Sequence, residues 1–152
     1  MKGNKRMESA LFVEFIQQQW LLMLALVIVL FMLFQSHFGD KLSGYASIAP
    51  EQAVRLMNDG AFLLDVRSID EYRSGHLTGA KNLSIADLPA KIESLAAHKT
   101  QPTIVYCESG MRSSRACGLL RKAGFEQLYN LSGGISAWRG ANLPIVKQGK
   151  KK

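Results

Sequence analysis

The sequence predicts an α/β domain with a central, mostly parallel sheet flanked by helices, preceded by one apolar helix. Three observations carry this. From Pro50 onwards, short β-rich runs alternate with helix-like segments, as in a chain of β-α-β units. Two of those runs, "AFLLDV" and "PTIVYC", deliver polar or reactive side chains at their ends, where parallel sheets place their ligands. Ahead of them lies "WLLMLALVIVLFMLF", Trp20 to Phe34, with no charge and no polar side chain.

The apolar run comes first. A membrane crossing needs about 20 apolar residues, so the run is short alone. It lengthens back to Phe12 if Glu14 and Gln17 to Gln19 lie at the headgroups, with Trp20 as interfacial anchor, or forward to Phe38. The segments expected are a basic N-terminus over 1–11, a transmembrane helix over 12–38, a linker over 39–45, a folded domain over 46–146 and a basic tail over 147–152. A core helix apolar on every side would need more surrounding protein than follows. A cleaved signal would show a small-x-small site directly after the run. A single-pass protein of the cell inner (plasma) membrane is therefore expected.

Charge gives conflicting topology. Lys2, Lys5 and Arg6 before the span, against Lys41 and Arg55 after it, favour a cytoplasmic N-terminus. A reactive thiol needing reductant and acceptors favours a cytoplasmic domain, and that orientation is the expectation adopted. The net charge of +7 lies partly in the terminal tufts, which suit anionic lipid or water. No basic-aromatic interleaving points to nucleic acid. With 152 residues, 47% hydrophobic and 20% charged, the chain has the composition of one folded domain plus an appendage.

The later elements follow in order. "SHFGDKLSGYASIA" reads as a linker. "PEQAVRLMNDG" opens a helix with Pro50 in its first turn and stops at Gly60. "AFLLDV" is a buried strand ending in Asp65-Val66-Arg67. "SIDEYRSG" is a brief helix with a Ser68/Glu71 capping box. "AKNLS" is a short strand, and a helix is expected around Leu88 to Ala97. "PTIVYC" is a strand that ends on Cys107. "RSSRACGLLRKAG" is an amphipathic helix stopped by Gly124, "FEQLYNLSGG" a strand with a Gly-Gly turn, and "ISAWRG" a last helical turn.

The stretch "YCESGMRSS" carries the chemistry. Cys107 leaves a strand and a helix begins near Arg112 or Ser113, so Glu108, Ser109, Gly110 and Met111 must curl between them. In such a curl, which Gly110 permits, backbone N–H groups turn inward as an anion nest and the helix N-terminus adds its positive end. A thiol there has its pKa lowered and is largely thiolate at neutral pH. Arg112 adds a fixed charge and Ser113 a hydroxyl donor. Cys117 lies between small residues of the amphipathic helix and reads as an inert core thiol. A strand-end cysteine and one within the next helix have unlikely geometry for a disulfide.

The three stretches "LLDVRSIDEYRSGHLTGAKNL", "YCESGMRSSRACGLLRKAGF" and "LSGGISAWRGANLPI" resemble, in order and spacing, the signatures of the rhodanese-like sulfurtransferases. The resemblance covers about residues 46 to 146, the whole soluble part. It implies a rhodanese-like fold and a ping-pong reaction. Cys107 would take sulfur from thiosulfate or a persulfide donor and pass it to a thiol, cyanide or protein acceptor.

Cys107 and Arg112 would be catalytic, with Glu108, Ser109, Gly110, Met111 and Ser113 forming the substrate-binding loop. Asp65 and Arg67 would support it from the neighbouring strand tip, with Arg67 placed to pair with Glu71. His76, Gly133, Gly134 and Trp138 are expected to serve packing and turns. No cofactor or metal is implied. Related phosphatases of this fold carry one more residue between cysteine and arginine, so this shorter loop suits sulfur. The Glu108 charge disfavours a phosphate ester and raises a question about thiosulfate too. The competing reading is a membrane-tethered interaction module that recruits protein partners without turnover.

Overall fold

The computed structural model describes residues 19–33 and 44–147. The chain divides into two compact units, Met1–Gly39 and Asp40–Lys152. In the first, residues 19–33 form helix α1, whose large apolar side chains are all exposed. Among the described residues no helix is long and apolar enough to cross a membrane. The flanks of the expected 12–38 span, the basic segment 1–11 and residues 148–152 lie outside the described residues.

The second unit is built on a five-stranded sheet in the order β1-β5-β4-β2-β3, parallel throughout. The strands are β1 Ala46–Ile48, β2 Phe62–Asp65, β3 Lys81–Asn82, β4 Thr103–Tyr106 and β5 Leu128–Leu131. Between and after them come α2 Pro50–Asn58, α3 Ile69–Ser74, α4 Leu88–Lys91, a 3₁₀ helix Ile92–His98, α5 Met111–Lys122 and α6 Gly134–Gly140.

Alternation along the central strands divides the core in two. Leu64, Val105 and Cys107 face one side with Leu88, Leu95, Ala116, Cys117 and Leu120, under α4, the 3₁₀ helix and α5. Leu63, Ile104 and Tyr106 face the other side with Ala53, Tyr72, Ile135 and Trp138, under α2, α3 and α6. A period of two along each strand produces this split, and a one-residue slip would exchange the faces. Both faces being covered explains the continuous apolar runs that mark these strands.

Several expectations change in detail. The segment read as linker contains β1, which pairs with β5 in the register Ala46↔Tyr129. Three residues at a sheet edge carry too little periodicity to announce themselves, and the pairing partner lies more than eighty residues away. The helix expected around Leu88 to Ala97 is one turn of α-helix followed by a 3₁₀ helix. Spacing by threes puts Ile92, Leu95 and His98 on one side. Leu95 is buried, Ile92 packs against the same core, and the His98 ring stacks on Phe62 at 3.8 Å. The strand in "AKNLS" shrinks to two residues. Helix α5 starts one residue early, at Met111. The capping box of α3 forms as expected: Glu71 N donates to Ser68 Oγ, and Ser68 N donates to Glu71 Oε2.

Candidate active site

Cys107 follows β4 directly and is fully buried. The four residues after it wrap round its sulfur. Gly110 takes φ +95°, open to glycine at little cost, and so turns its N–H onto Cys107 Sγ at 3.1 Å. Gly110 is also the N-cap of α5, so the loop closes on a helix N-terminus. Ser113 Oγ lies 3.4 Å from the sulfur. Burial pushes the thiol up, but hydrogen bonds from the Ser113 hydroxyl and from the backbone N–H groups of Ser113, Ser109 and Gly110 outweigh it. The Cys107 pKa therefore falls below its ordinary value.

The Ser113 hydroxyl has one proton and three neighbours. Asn130 Oδ1 is nearest at 2.6 Å, ahead of Gly110 O at 3.1 Å and the sulfur. The sulfur thus receives only a share of this hydroxyl, whereas the Gly110 N–H has no competing acceptor among the described residues. Asn130 also donates through Nδ2 to Gly110 O at 3.3 Å, bracing the loop from β5. Sequence reasoning missed Asn130. The signal was present in "LYNL", where a buried amide interrupts a strand otherwise apolar or aromatic.

A second grip comes from α6. Ile135 N donates to Cys107 O and Ser136 N to Glu108 O, at 2.9 and 3.1 Å. Gly134 makes this approach possible: a Cβ there would sit 2.3 Å from Cys107 O and 2.5 Å from Glu108 O. The Gly-Gly turn, expected to be structural, is thus packed directly on the loop.

The supports at the tip of β2 are a buried ion pair with unusually full hydrogen bonding. Arg67 donates from its backbone N and from Nε to Asp65 Oδ1, at 2.9 and 3.0 Å. Its Nη2 donates to Asp65 Oδ2 and to Gly75 O, both at 2.7 Å. Both side chains are essentially inaccessible to water, so this pairing is what lets the charges remain there. The guanidinium also lies over the Tyr106 ring, 5.8 Å from its centroid.

Arg67 does not pair with Glu71 as expected. It points inward, and its Nη1 reaches Glu108 Oε2 at 3.2 Å. Glu108 Oε1 accepts from Ser136 Oγ at 2.9 Å and from Arg139 Nη1 at 3.4 Å. The rim carboxylate is therefore tied down between two arginines. Glu71 instead accepts a two-pronged bond from Arg112, Nη1 to Oε2 at 2.9 Å and Nη2 to Oε1 at 2.8 Å. That bond holds its carboxyl well below the usual range, at about 2.

The remaining residues sort plainly. Ser109 and Met111 are exposed, Met111 at 71%. His76 is buried, with Nδ1 against Tyr72 O at 2.9 Å, its ring stacked on Tyr72 and its backbone bridged to Val146. Trp138 is buried and donates Nε1–H to Pro144 O at 2.9 Å. Cys117 lies in the core, where burial pushes its thiol up to about 12. Among the described residues no cluster of His, Cys, Asp or Glu could hold a metal ion.

Fold and site together define a parallel α/β domain whose distinguishing chemistry is one cysteine held in a backbone cradle between a strand and a helix. The chain belongs to the rhodanese-like family: the Rhodanese-like domain model matches residues 49–141. It is 33% identical over 136 residues to the uncharacterized protein YibN of Escherichia coli K12, covering 88% of this chain and 95% of that one. It is 37% identical over 111 residues to the thiosulfate sulfurtransferase GlpE of Pseudomonas entomophila, covering 71% and 97%. The crystal structure of a rhodanese-related protein from Thermoplasma volcanium superposes with a TM-score of 0.61 at 27% identity, over 67% of this chain and 98% of that one.

Proposed function

We propose that this chain is a membrane-anchored sulfurtransferase that carries sulfane sulfur on Cys107. The observation that carries the reading is the convergence of the Gly110 N–H and the Ser113 hydroxyl on a buried sulfur, in a loop with only Glu108 to Met111 before Arg112. Such a cradle fits an anion on sulfur and leaves less room than a phosphate needs. The relatives named thiosulfate sulfurtransferase support the same chemistry.

In the first half-reaction the Cys107 thiolate attacks the outer sulfur of thiosulfate or of a persulfide. The donor's S–S bond breaks, and sulfite or a thiolate leaves with the electron pair. In the second, a thiol, cyanide or protein thiolate attacks the outer sulfur on Cys107, and the Cys107 thiolate is returned. The loop amides stabilise negative charge on sulfur in both forms. Arg112 supplies the cation at the mouth, and Glu108, Ser109, Gly110, Met111 and Ser113 form the wall. Asp65 and Arg67 hold the wall in place.

The anchor rests on residues 19–33, a helix with its apolar side chains exposed, within an uncharged stretch that continues to Phe34. The likeness to YibN takes in 88% of this chain, more than residues 44–152 amount to, so it reaches into this N-terminal segment. The domain is placed on the cytoplasmic side of the inner membrane, where thiol acceptors and reductant are available.

The test is intact mass spectrometry of the full chain after incubation with thiosulfate. Wild type should gain one sulfur atom and Cys107→Ser none. An equal gain in both would remove the assignment.

A further inference from the structure

Three arginines border the Cys107 loop, and each faces a carboxylate. Arg67 is matched by Asp65 and Glu108, Arg139 by Glu108, and Arg112 by Glu71. The last pair differs from the others. Glu71 is held in place by more than Arg112, because its Oε2 also accepts from Ser68 N and Ser68 Oγ, both at 3.0 Å. The cap of α3 therefore fixes the carboxylate, and the carboxylate fixes the guanidinium, both of whose terminal nitrogens it engages.

Arg112 is the cation at the mouth of the loop, so what neutralises it decides which donors it attracts. Thiosulfate arrives with two negative charges, whereas an organic persulfide arrives neutral or singly charged. With Arg112 already paired, the doubly charged donor gains least. We propose that Glu71 is a specificity-determining residue that, by holding Arg112, turns the site towards organic persulfides and away from thiosulfate. This rests on the sulfurtransferase reading above. In the favoured step the Cys107 thiolate attacks the outer sulfur of R–S–SH, the donor S–S bond breaks, and R–S⁻ leaves with the electron pair. The proton of the new Cys107 persulfide passes to solvent.

Glu71→Gln isolates the charge, because a capping box accepts Gln as readily as Glu at this position. Loading of Cys107 is measured by intact mass in the full chain, with thiosulfate and with cysteine persulfide, which is neutral or singly charged, offered separately. In Glu71→Gln the ratio of thiosulfate to persulfide loading rates should rise about fivefold, the upper range for removing a half-exposed ion pair. Alkylation gives a second reading that needs no sulfur transfer: the rate with iodoacetate relative to iodoacetamide should rise about twofold. Glu71→Ala, which keeps the Ser68 cap, reads the same two ratios if the Gln variant folds poorly. Loading by both donors with unmoved ratios overturns the proposal alone. Failure of both donors on wild type overturns it together with the reading beneath it.

Discussion

Cys107 and Cys117 are both buried, both free and packed in one core cluster, yet their surroundings drive them in opposite directions. Burial acts on both. Cys107 has the Ser113 hydroxyl and three backbone N–H groups aimed at its sulfur, whereas Cys117 has only its own backbone N–H, so the pKa of Cys107 falls while that of Cys117 climbs to about 12. A lowered acid pKa means the thiolate persists as pH drops, until the pH passes the folded-state value. Iodoacetamide at pH 7 should therefore label Cys107 and spare Cys117, which peptide mass mapping reads directly. The rate of Cys107 labelling should rise with pH at a midpoint below the ~8.5 of an ordinary thiol. Ser113→Ala removes one donor and should raise that midpoint. An unmoved midpoint would assign the whole shift to the backbone amides.

Two helix starts and a glycine turn make the site, and each does a different task. The start of α5 faces the sulfur; the start of α6 holds the carbonyls at the end of β4. Gly134→Ala should be the more damaging of small changes here. Its Cβ would overlap two backbone oxygens, and φ +57° is unfavourable for any residue with a side chain. A loss of about 3 kcal/mol is expected, read as a fall in the denaturant midpoint with the slope unchanged.

At this scale the sequence was readable where a local rule had a local cause. The Ser68 cap, the strand end at Cys107 and the stop near Gly124 each depend on residues a few positions apart. Short pieces were less readable: β1 exists because β5 pairs with it, and the 3₁₀ turn because three side chains meet the sheet. The partners of Glu108 and Arg112 were not legible either. Arg139, Ser136 and Glu71 lie 28 to 41 positions away and meet the loop only once the sheet is assembled. Local spacing suggested Arg67 with Glu71, and burial of Arg67 against Asp65 overrode it.

The whole molecule divides into two units. Asp40–Lys152 encloses both core clusters by itself, whereas residues 19–33 present apolar side chains with nothing described against them. The full chain should sediment with membranes and resist alkaline carbonate, while a fragment from Asp40 onwards should stay soluble and melt in one cooperative transition. Recovery of the full chain in the soluble fraction would remove the anchor. A reporter fused after Lys152 and active only in the cytoplasm reads the orientation at the same time.

Main-chain amides of α6 hold the carbonyls of Cys107 and Glu108, and a main-chain amide, that of Gly110, makes the shortest bond to the sulfur. Glycines at 110 and 134 grant the necessary close approach, and the exposed Ser109 and Met111 side chains make none of these bonds. Ser109 and Met111 are consequently free to be exchanged. A descendant of this protein could alter what docks at the rim, residue by residue, while inheriting the reactive thiol intact, and a protein engineer could do the same.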